Sequence, residues 1–447
     1  MSSCDPTPDV FVLAPSGGSW TAPVSARSSM ITPASVLNSR QKLDFWTGMG
    51  FFRDPWITAP ASTTARDGLG PLFNADSCIS CHGGGGRGKS VLSVPNSPST
   101  ILRVGVRDSE GQINPHPIFG DQLQSRATYG KTAASARVRG LGYFPGEAQI
   151  RTAVQHRTVV FDNNDEIQLT YPVFSVGGAD ESLLISSRIA PPLFGLGLLE
   201  AIVEDDLAKL EDASDANDDG ISGRLRRFDD GSIGRFGWKA SHPSVASQTA
   251  AAFQQDIGIS NPLLSLQNCS PKQSQCQRQS HGNDAKEGVE IPKLLFDKVV
   301  FFTAHIAPPS SGKTPLLQQG QRLFTSAQCA SCHQPSHTVA IVNEAGVNND
   351  ETIWPYTDLL LHDMGPALAD TLPENGVAAS EWRTPPLWGL GKNLDFNRHV
   401  GLLHDGRART IDEAIVWHGG EASASRDFYL TLSAEERAAM TAFIRAL

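Results

Sequence analysis

Two copies of one short motif constrain this chain more than any other feature of its sequence. Cys78-Ile-Ser-Cys81-His82 and Cys329-Ala-Ser-Cys332-His333 both read C-x-x-C-H, the pattern by which haem c is attached to protein. Two thiols on one turn can form thioethers with the two vinyl groups of one porphyrin, and the following histidine then lies under the iron. A redox-active C-x-x-C pair or half of a zinc site would need no histidine at that place. The motifs therefore predict two covalently bound haems c, with His82 and His333 as proximal ligands.

The length and charge of the chain exclude several other classes of protein. Its 447 residues exceed the size of one ordinary domain, so we expect two or three domains. Lys and Arg total 37 against 47 for Asp and Glu, and the resulting net charge of -10 argues against a nucleic-acid binder. The sequence contains no run of about 18 apolar residues, the length that would predict a membrane-spanning helix. The chain also begins without a basic and then apolar signal segment, as expected where a targeting peptide has already been removed.

The other three cysteines bear on the compartment. Haem c is attached outside the cytoplasm, so we expect a periplasmic protein in which disulfides form. Cys269 and Cys276 lie seven residues apart in a polar stretch and are predicted to close a small loop. Cys4 stands in a short polar lead that could follow a lipoprotein cleavage site. The sequence therefore predicts a protein without a lipid anchor, with lipidation of Cys4 as the alternative.

The two motifs belong to a longer pattern that recurs along the chain. Leu-Phe precedes each motif at the same distance, ending at Phe73 and Phe324. Farther on, Pro191-Pro-Leu-Phe-Gly-Leu-Gly197 matches Pro385-Pro-Leu-Trp-Gly-Leu-Gly391. We therefore predict a mainly α fold with two cytochrome c-like haem domains and long loops, related by a diverged duplication. The predicted division is an N-terminal extension 1–39, an enlarged N-terminal haem c domain 40–305, a linker 306–315 and a C-terminal haem c domain 316–447.

A sixth iron ligand separates an electron-transfer haem from one that is open to chemistry. For the second haem we predict His418, which ends a short apolar helix opened by Thr410-Ile-Asp-Glu413 and stopped by Gly419-Gly420. Met364 is the main rival ligand. The first half has no histidine at the end of a short apolar helix. This is the pattern expected if the first iron has an open sixth position.

Three further features of the first half have both a functional and a plain structural interpretation. Trp238 is an electron relay between haems or ordinary core. Glu200 is a distal acid–base group for peroxide or a carboxylate in a short helix. Asp215, Asn217 and Asp219 form the first half of a calcium loop, with Arg226 at the twelfth position, or a simple Asp/Asn/Gly turn.

Several of these stretches together resemble the bacterial di-haem oxidoreductase family, which is related to the di-haem cytochrome c peroxidases. The matching stretches are Gly70 to His82, Leu361-His-Asp-Met-Gly-Pro366, Glu381 to Gly391, Leu403-His-Asp-Gly-Arg407 and Trp417-His-Gly-Gly420.

The resemblance implies roles for particular residues and also shows one departure. In the peroxidases the residue at the place of His418 is the sixth ligand of the electron-transfer haem, usually methionine. The segment that contains Met364 does not ligate iron in them, and their inter-haem tryptophan corresponds to Trp238. Their distal glutamate follows an Asn-Pro pair, but here Asn261-Pro262 is followed by two leucines, which leaves Glu200 or Asp256 as substitutes.

Two function classes remain open at this point. In the first, an enzyme reacts with peroxide or a similar oxidant at the His82 haem and receives electrons through the His333/His418 haem. In the second, both irons carry two protein ligands and the chain only relays electrons. Either class predicts an electron-donor protein, a small cytochrome or cupredoxin, as partner. The resemblance implies the enzyme.

Overall fold

The computed structural model describes residues 15–23, 29–130, 143–179, 182–283, 286–312, 314–342 and 348–447. Cys4, the predicted site of a lipid anchor, lies outside these residues. The α-helices are α1 Ser39–Arg53, α2 Leu196–Glu200, α3 Glu204–Ala208, α4 Val245–Ala252, α5 Ser274–Gln277, α6 Lys293–Ala304, α7 Leu317–Ser326, α8 Leu390–Phe396, α9 Ile411–Trp417, α10 Ser423–Thr431 and α11 Ala434–Ala446. The strands are β1 Leu72–Phe73, β2 Thr100–Arg107, β3 Ile113–Asn114, β4 Gln122–Leu123, β5 Arg126–Ala127, β6 Phe144–Pro145, β7 Ile150–Val160, β8 Glu166–Val176, β9 Leu183–Ile189, β10 His337–Val342, β11 Asn348–Ile353, β12 Leu361–Asp363 and β13 Glu381–Arg383.

The prediction of a mainly α fold of two cytochrome c-like domains is wrong. Helices account for only 29% of the structure, and strands in several antiparallel sheets account for 20%. Two properties of the sequence explain the difference. Its 41 glycines and 29 prolines interrupt helices, so that several have only four to seven residues. Segments rich in β-branched residues, above all β7, pair as strands.

The sheet nearest the first haem motif is built around β2. Strand β9 pairs with it antiparallel over seven residues, from Thr100 opposite Ile189 to Val106 opposite Leu183. Strands β3 and β4 pair along the other side of β2. The chain leaves β9 at Ile189 and runs directly into Pro191, so this sheet sets the position of the repeated Pro-Pro segment.

A long hairpin from the first half packs against the second half. Strands β7 and β8 pair over eleven residues each, from Ile150 opposite Val176 to Val160 opposite Glu166. At its far end, Phe161 and Leu169 are buried in the core cluster that surrounds Trp417 and Tyr429. The hairpin thus supplies apolar side chains to the core around the second haem motif.

The helices around the second motif agree with the sequence pattern. Helix α7 carries an apolar stripe ahead of Cys329, and α11 packs along it. The Ser433 capping box of α11 forms in full. At α9 only one half forms, because the Thr410 hydroxyl accepts the Glu413 N–H while the Glu413 carboxylate accepts the Arg409 N–H.

The two repeated Pro-Pro segments lie against each other. Gly195 and Gly389 precede α2 and α8, both with positive φ, and each lies against an aromatic ring of the other segment. A Cβ on Gly195 would approach Trp388 to 2.2 Å, and one on Gly389 would approach Phe194 to 2.8 Å. Glycine is required at both places by backbone conformation and by space.

Two smaller predictions can also be compared with the structure. Cys269 and Cys276 form the expected disulfide. In the segment expected as a linker, Ile306 and Ala307 are fully buried, and the Ala307 N–H donates to the Thr32 carbonyl. The domain boundaries themselves stay a prediction. None of the helices in the described ranges is both long enough and apolar enough to cross a bilayer.

Candidate functional site

The first C-x-x-C-H motif forms a compact turn at the wall of a cavity. Residues Cys78–Ser80 make a single 3-10 turn, and the His82 N–H donates to the Cys78 carbonyl at 3.0 Å. Both cysteines and His82 line a cavity of about 380 Å³. Two thiols and an imidazole on one short turn facing one cavity are the arrangement that haem c attachment requires.

The imidazole of His82 is held in the form that binds iron. Its Nδ1 donates to the Pro191 carbonyl at 2.8 Å, which leaves Nε2 for the cavity. Burial lowers the pKa of His82 to about 4, so the ring is neutral at neutral pH. A neutral imidazole whose second nitrogen donates to a carbonyl is typical of an oriented metal ligand.

The cysteines of this motif do not have the properties of a redox pair. Burial raises the pKa of Cys78 to about 12 and raises that of Cys81 further. Reactive C-x-x-C thiols need the opposite, a lowered pKa that populates the thiolate. The alternative interpretation of the motif as a redox-active pair is therefore disfavoured.

Buried guanidinium groups in the same cavity fit the propionates of a haem. Arg87 and Arg383 line it, donate only to backbone carbonyls, and form no ion pair within the described residues. Burial lowers the pKa of each to about 10, which still leaves both positively charged. Nη2 of Arg188, another lining residue, lies 3.1 Å from Glu374 without a hydrogen bond. Buried cations are stable only with a counter-anion, and a haem brings two carboxylates.

The second motif repeats the same local chemistry. Cys329–Ser331 forms a 3-10 turn, and Nδ1 of His333 donates to the Tyr356 carbonyl at 3.1 Å. Burial lowers the pKa of His333 to about 4, and the charge of His418 lowers it further. The donated Nδ1 and the neutral ring again leave Nε2 for iron.

His418 stays the predicted sixth ligand of the second haem. It follows the last residue of α9, and its Nδ1 donates to the Ala414 carbonyl at 2.7 Å. Burial lowers its pKa as well, and its effect on His333 indicates that the two rings are close. The rival Met364 packs with Ile189 and the two rings of Trp238 and Trp382.

His362, two residues before Met364, is held between two carboxylates. Its Nε2 lies 2.8 Å from Asp358 and its Nδ1 lies 2.7 Å from Glu421. These carboxylates raise the pKa of His362 well above its usual value despite its burial, so the ring is charged. Because both nitrogens are engaged, His362 is not available to iron. The ring lies beside Cys332 and supports the second site from outside.

Trp238 is the residue predicted to relay electrons between the haems. It is buried, lines the first cavity, and its Nε1 donates to the Ile189 carbonyl at 2.9 Å. It shares a small apolar cluster with Trp382. The rings of Trp382 and His404 stack with their centroids 3.8 Å apart. The Lys239 ammonium lies over the Trp382 ring, 3.6 Å from its centroid.

The distal acids considered from the sequence differ in position. The Glu200 carboxylate accepts the Val245 N–H at the start of α4 and is not among the described residues that line the cavity. Asp256 lies in a π-helical turn, Phe253–Ile257, and does line the cavity. The Gln122 side chain donates to the Asp256 carboxylate. Burial raises the pKa of Asp256 to about 6. Asn261 uses its carboxamide oxygen to accept the N–H groups of the two leucines that follow its proline.

The loop that was predicted to bind calcium is a hydrogen-bonded turn on the surface. Asp215 accepts the N–H groups of Asp219 and Gly220, and Asn217 also accepts from Asp219. Self-contained turns of this kind satisfy their carboxylates without an ion. Calcium binding by Asp215, Asn217 and Asp219 stays a prediction.

Sequence reasoning missed several residues of the first cavity. Arg87 and Arg383 were not recognised because nothing local marks an arginine that will be buried. Trp382 stands directly before Arg383 in a stretch that matches the family, and that match was the available signal. His242 follows Trp238 by four residues and lines the same cavity.

The comparisons with known proteins agree with this geometry. A family model described as "Di-haem oxidoreductase, putative peroxidase" matches residues 107–447. The second C-x-x-C-H motif lies inside the matched range, and the first lies before it. Searches of curated proteins and of solved structures found no match.

Proposed function

Since the chain belongs to the di-haem oxidoreductase family, we propose that it is a c-type di-haem peroxidase with divided labour between its two haems. Hydrogen peroxide or a similar oxidant reacts at the site of Cys78, Cys81 and His82. The site of Cys329, Cys332 and His333, completed by His418, passes electrons to it.

One contrast between the two sites carries this proposal. The charge of His418 contributes to the pKa of His333, so a second imidazole stands close to the proximal one. At the first site, burial and the Pro191 carbonyl set the pKa of His82. The cavity beside His82 has a volume of about 380 Å³. An iron with an open position can bind a small oxidant, whereas a bis-histidine iron transfers electrons.

The bound haems would supply the electrons and the Lewis-acid centre for peroxide reduction, in which one peroxide, two electrons and two protons yield two waters. The protein contributes position and charge. His82 and the two thioethers would hold the macrocycle, and Arg87 and Arg383 would pair with its propionates. Apolar walls such as Phe236 and Phe253 limit the access of water to the reaction.

Trp238 is the proposed bridge between the sites. It lines the first cavity and also packs against Met364, which in turn borders the core cluster of the second half. A buried indole at this place shortens the distance that an electron must cross. We further propose that the protein works in the periplasm and accepts electrons from a small cytochrome or cupredoxin. The disulfide between Cys269 and Cys276 is compatible with that oxidising compartment.

Rapid mixing of the fully reduced protein with hydrogen peroxide tests the proposal. We expect one peroxide to oxidise both haems, and intact mass to exceed the polypeptide by two haems. The double variant Cys78→Ala/Cys81→Ala should lose one haem and the peroxide reaction, while the second haem keeps its spectrum. The matched variant Cys329→Ala/Cys332→Ala should still react with peroxide at the first haem. Without the second haem, it should have no source for the second of the two electrons that one peroxide needs. A reduced wild type that peroxide does not oxidise would support the electron-relay class instead.

A further inference from the structure

We propose that His242 is the distal acid–base residue of the first haem site, the group that holds and moves the proton of bound hydrogen peroxide. This inference rests on the proposed function and adds to it a residue whose role nothing in the family match assigns. His242 lies in the loop between Trp238 and α4, on the wall of the cavity.

The backbone holds His242 firmly in place. Its N–H donates to the Phe236 carbonyl at 3.2 Å, and its own carbonyl accepts the N–H groups of Arg235 and Phe236, each at 2.9 Å. Pro243 follows and further restricts its backbone conformation. Such a position can present a ring to a ligand without a large loss of conformational entropy.

The imidazole of His242 has capacity left for a ligand. In the part of the chain that the structure describes, no hydrogen bond from its ring to a protein group is formed, although His242 lines the cavity. The other proximal and distal imidazoles, those of His82, His333 and His418, each donate to a carbonyl. Both nitrogens of His242 are therefore open to a peroxide, a water or another small molecule.

The charges around His242 favour a neutral base. Burial lowers the pKa of His242 to about 4, and the guanidinium groups of Arg103, Arg226 and Arg188 lower it further against the opposing charge of Glu374. A neutral imidazole can take a proton, and the same cations then make it a good donor of that proton.

The other acids on the cavity wall are less suited to this step. Glu374 pairs with Arg103 and Arg188, which lower its pKa to about 2 although burial opposes them. Asp121 pairs with Arg103. Asp256 accepts from Gln122 and lies near the two cysteines, at the attachment edge of the site.

The proton then moves from one oxygen of the peroxide to the other. The near oxygen gives its proton to His242, and His242 returns it to the far oxygen as the oxygen–oxygen bond breaks. The bonding pair goes to the far oxygen, which leaves as water. Two protons from solvent and two electrons from the one-electron donor protein, which the haems would deliver, would convert the near oxygen into the second water.

Cyanide binding tests this role without turnover. Hydrogen cyanide must lose its proton to bind ferric iron as the anion, so a distal base speeds its association. We expect His242→Ala and His242→Gln each to slow cyanide association at the first haem by about 100-fold. Without cyanide, the electron paramagnetic resonance signals of both haems should be unchanged. The matched control is His156→Ala, at an exposed position on β7, which should leave the association rate unchanged.

The possible outcomes separate the inference from the proposed function. Unchanged cyanide rates in both His242 variants, with cyanide still binding, would overturn the role of His242 alone. A change of the first haem from low-spin to high-spin in His242→Ala would make His242 a ligand and also overturn it. A wild type that binds no cyanide would overturn the proposed function, and the inference with it. The second variant, His242→Gln, keeps a polar side chain of similar size if the alanine variant fails to fold.

Discussion

His418 and Met364 are the two residues between which the second site must choose. The Nδ1–H of His418 donates to a carbonyl of its own helix, and the charge of His418 lowers the pKa of His333. Met364 instead packs against tryptophan rings. We therefore expect His418→Ala to convert the second haem from low-spin to high-spin in optical and paramagnetic resonance spectra. Met364→Ala is the matched comparison and should leave that haem low-spin. The reverse pattern would show that methionine is the ligand.

Glu147 offers a test of how stability depends on pH. Burial raises the pKa of Glu147 from 4.5 to about 7, although it accepts hydrogen bonds from Gln124 and Gln273. The folded state therefore holds this proton more tightly than the unfolded chain does. Wild type should lose stability as pH rises from about 4.5 to about 7, by up to about 3 kcal/mol from this residue.

Glu147→Gln removes the titration and keeps the side-chain shape. Denaturant titration at several pH values measures the free energy of unfolding of both proteins. As pH rises across that range, the wild type should become less stable relative to the variant. Comparing the two proteins cancels the contributions of the other titrating groups, including the buried histidines whose lowered pKa values change stability in the opposite sense. A difference that is constant with pH would show that Glu147 ionises normally in the folded state.

At the residue scale, the sequence predicts the attachment residues and proximal ligands but not the groups that orient them. C-x-x-C-H is a local pattern, so His82 and His333 can be recognised without a structure. The carbonyl that orients His82 belongs to Pro191, which is 109 residues away. Backbone carbonyls carry no residue-type signal, and therefore no pattern in the sequence indicates this contact.

Among the elements, the β7–β8 hairpin shows why the predicted fold class was wrong. Most residues of β7 are exposed, so the strand lacks the alternation of apolar and polar residues that marks a half-buried strand. Its β-branched residues gave only a weak signal for short strands. By contrast, the apolar stripe of α7 and the Ser433 capping box of α11 were strong local signals, and both helices form.

The hairpin should contribute to stability through its far end. Leu169 is fully buried in the core cluster around Trp417, and Leu169→Ala should lower the free energy of unfolding by about 2–5 kcal/mol. Val154 lies on the partner strand but is 51% exposed, so Val154→Ala should change it by less than about 0.5 kcal/mol. Thermal and denaturant unfolding of the two variants measure the difference. Equal effects would mean that the hairpin tip does not pack against the second half.

At the scale of the whole molecule, both halves contribute to each site. Arg383 comes from the second half and lines the first cavity, while the hairpin of the first half packs beside the second motif. The sequence predicted two haem units in series along the chain. It did not predict that their side chains would be shared, because such sharing depends on how distant segments pack.

Trp238 should matter for communication between the sites. Trp238→Phe keeps an aromatic ring and should cost little stability, about 1 kcal/mol or less. It loses the indole N–H that donates to Ile189 and the larger ring that reaches toward Trp382. We expect slower electron transfer between the haems after flash or chemical reduction, with cyanide affinity at the first haem nearly unchanged. Unchanged transfer would make Trp238 an ordinary core residue.

The most direct test of the division of labour is a cyanide titration of the oxidised protein followed by electron paramagnetic resonance. The account predicts one high-spin signal from the His82 haem and one low-spin bis-histidine signal from the His333/His418 haem. One equivalent of cyanide per protein should convert the first signal to low-spin and leave the second unchanged. Two low-spin signals and no uptake of cyanide would contradict the account.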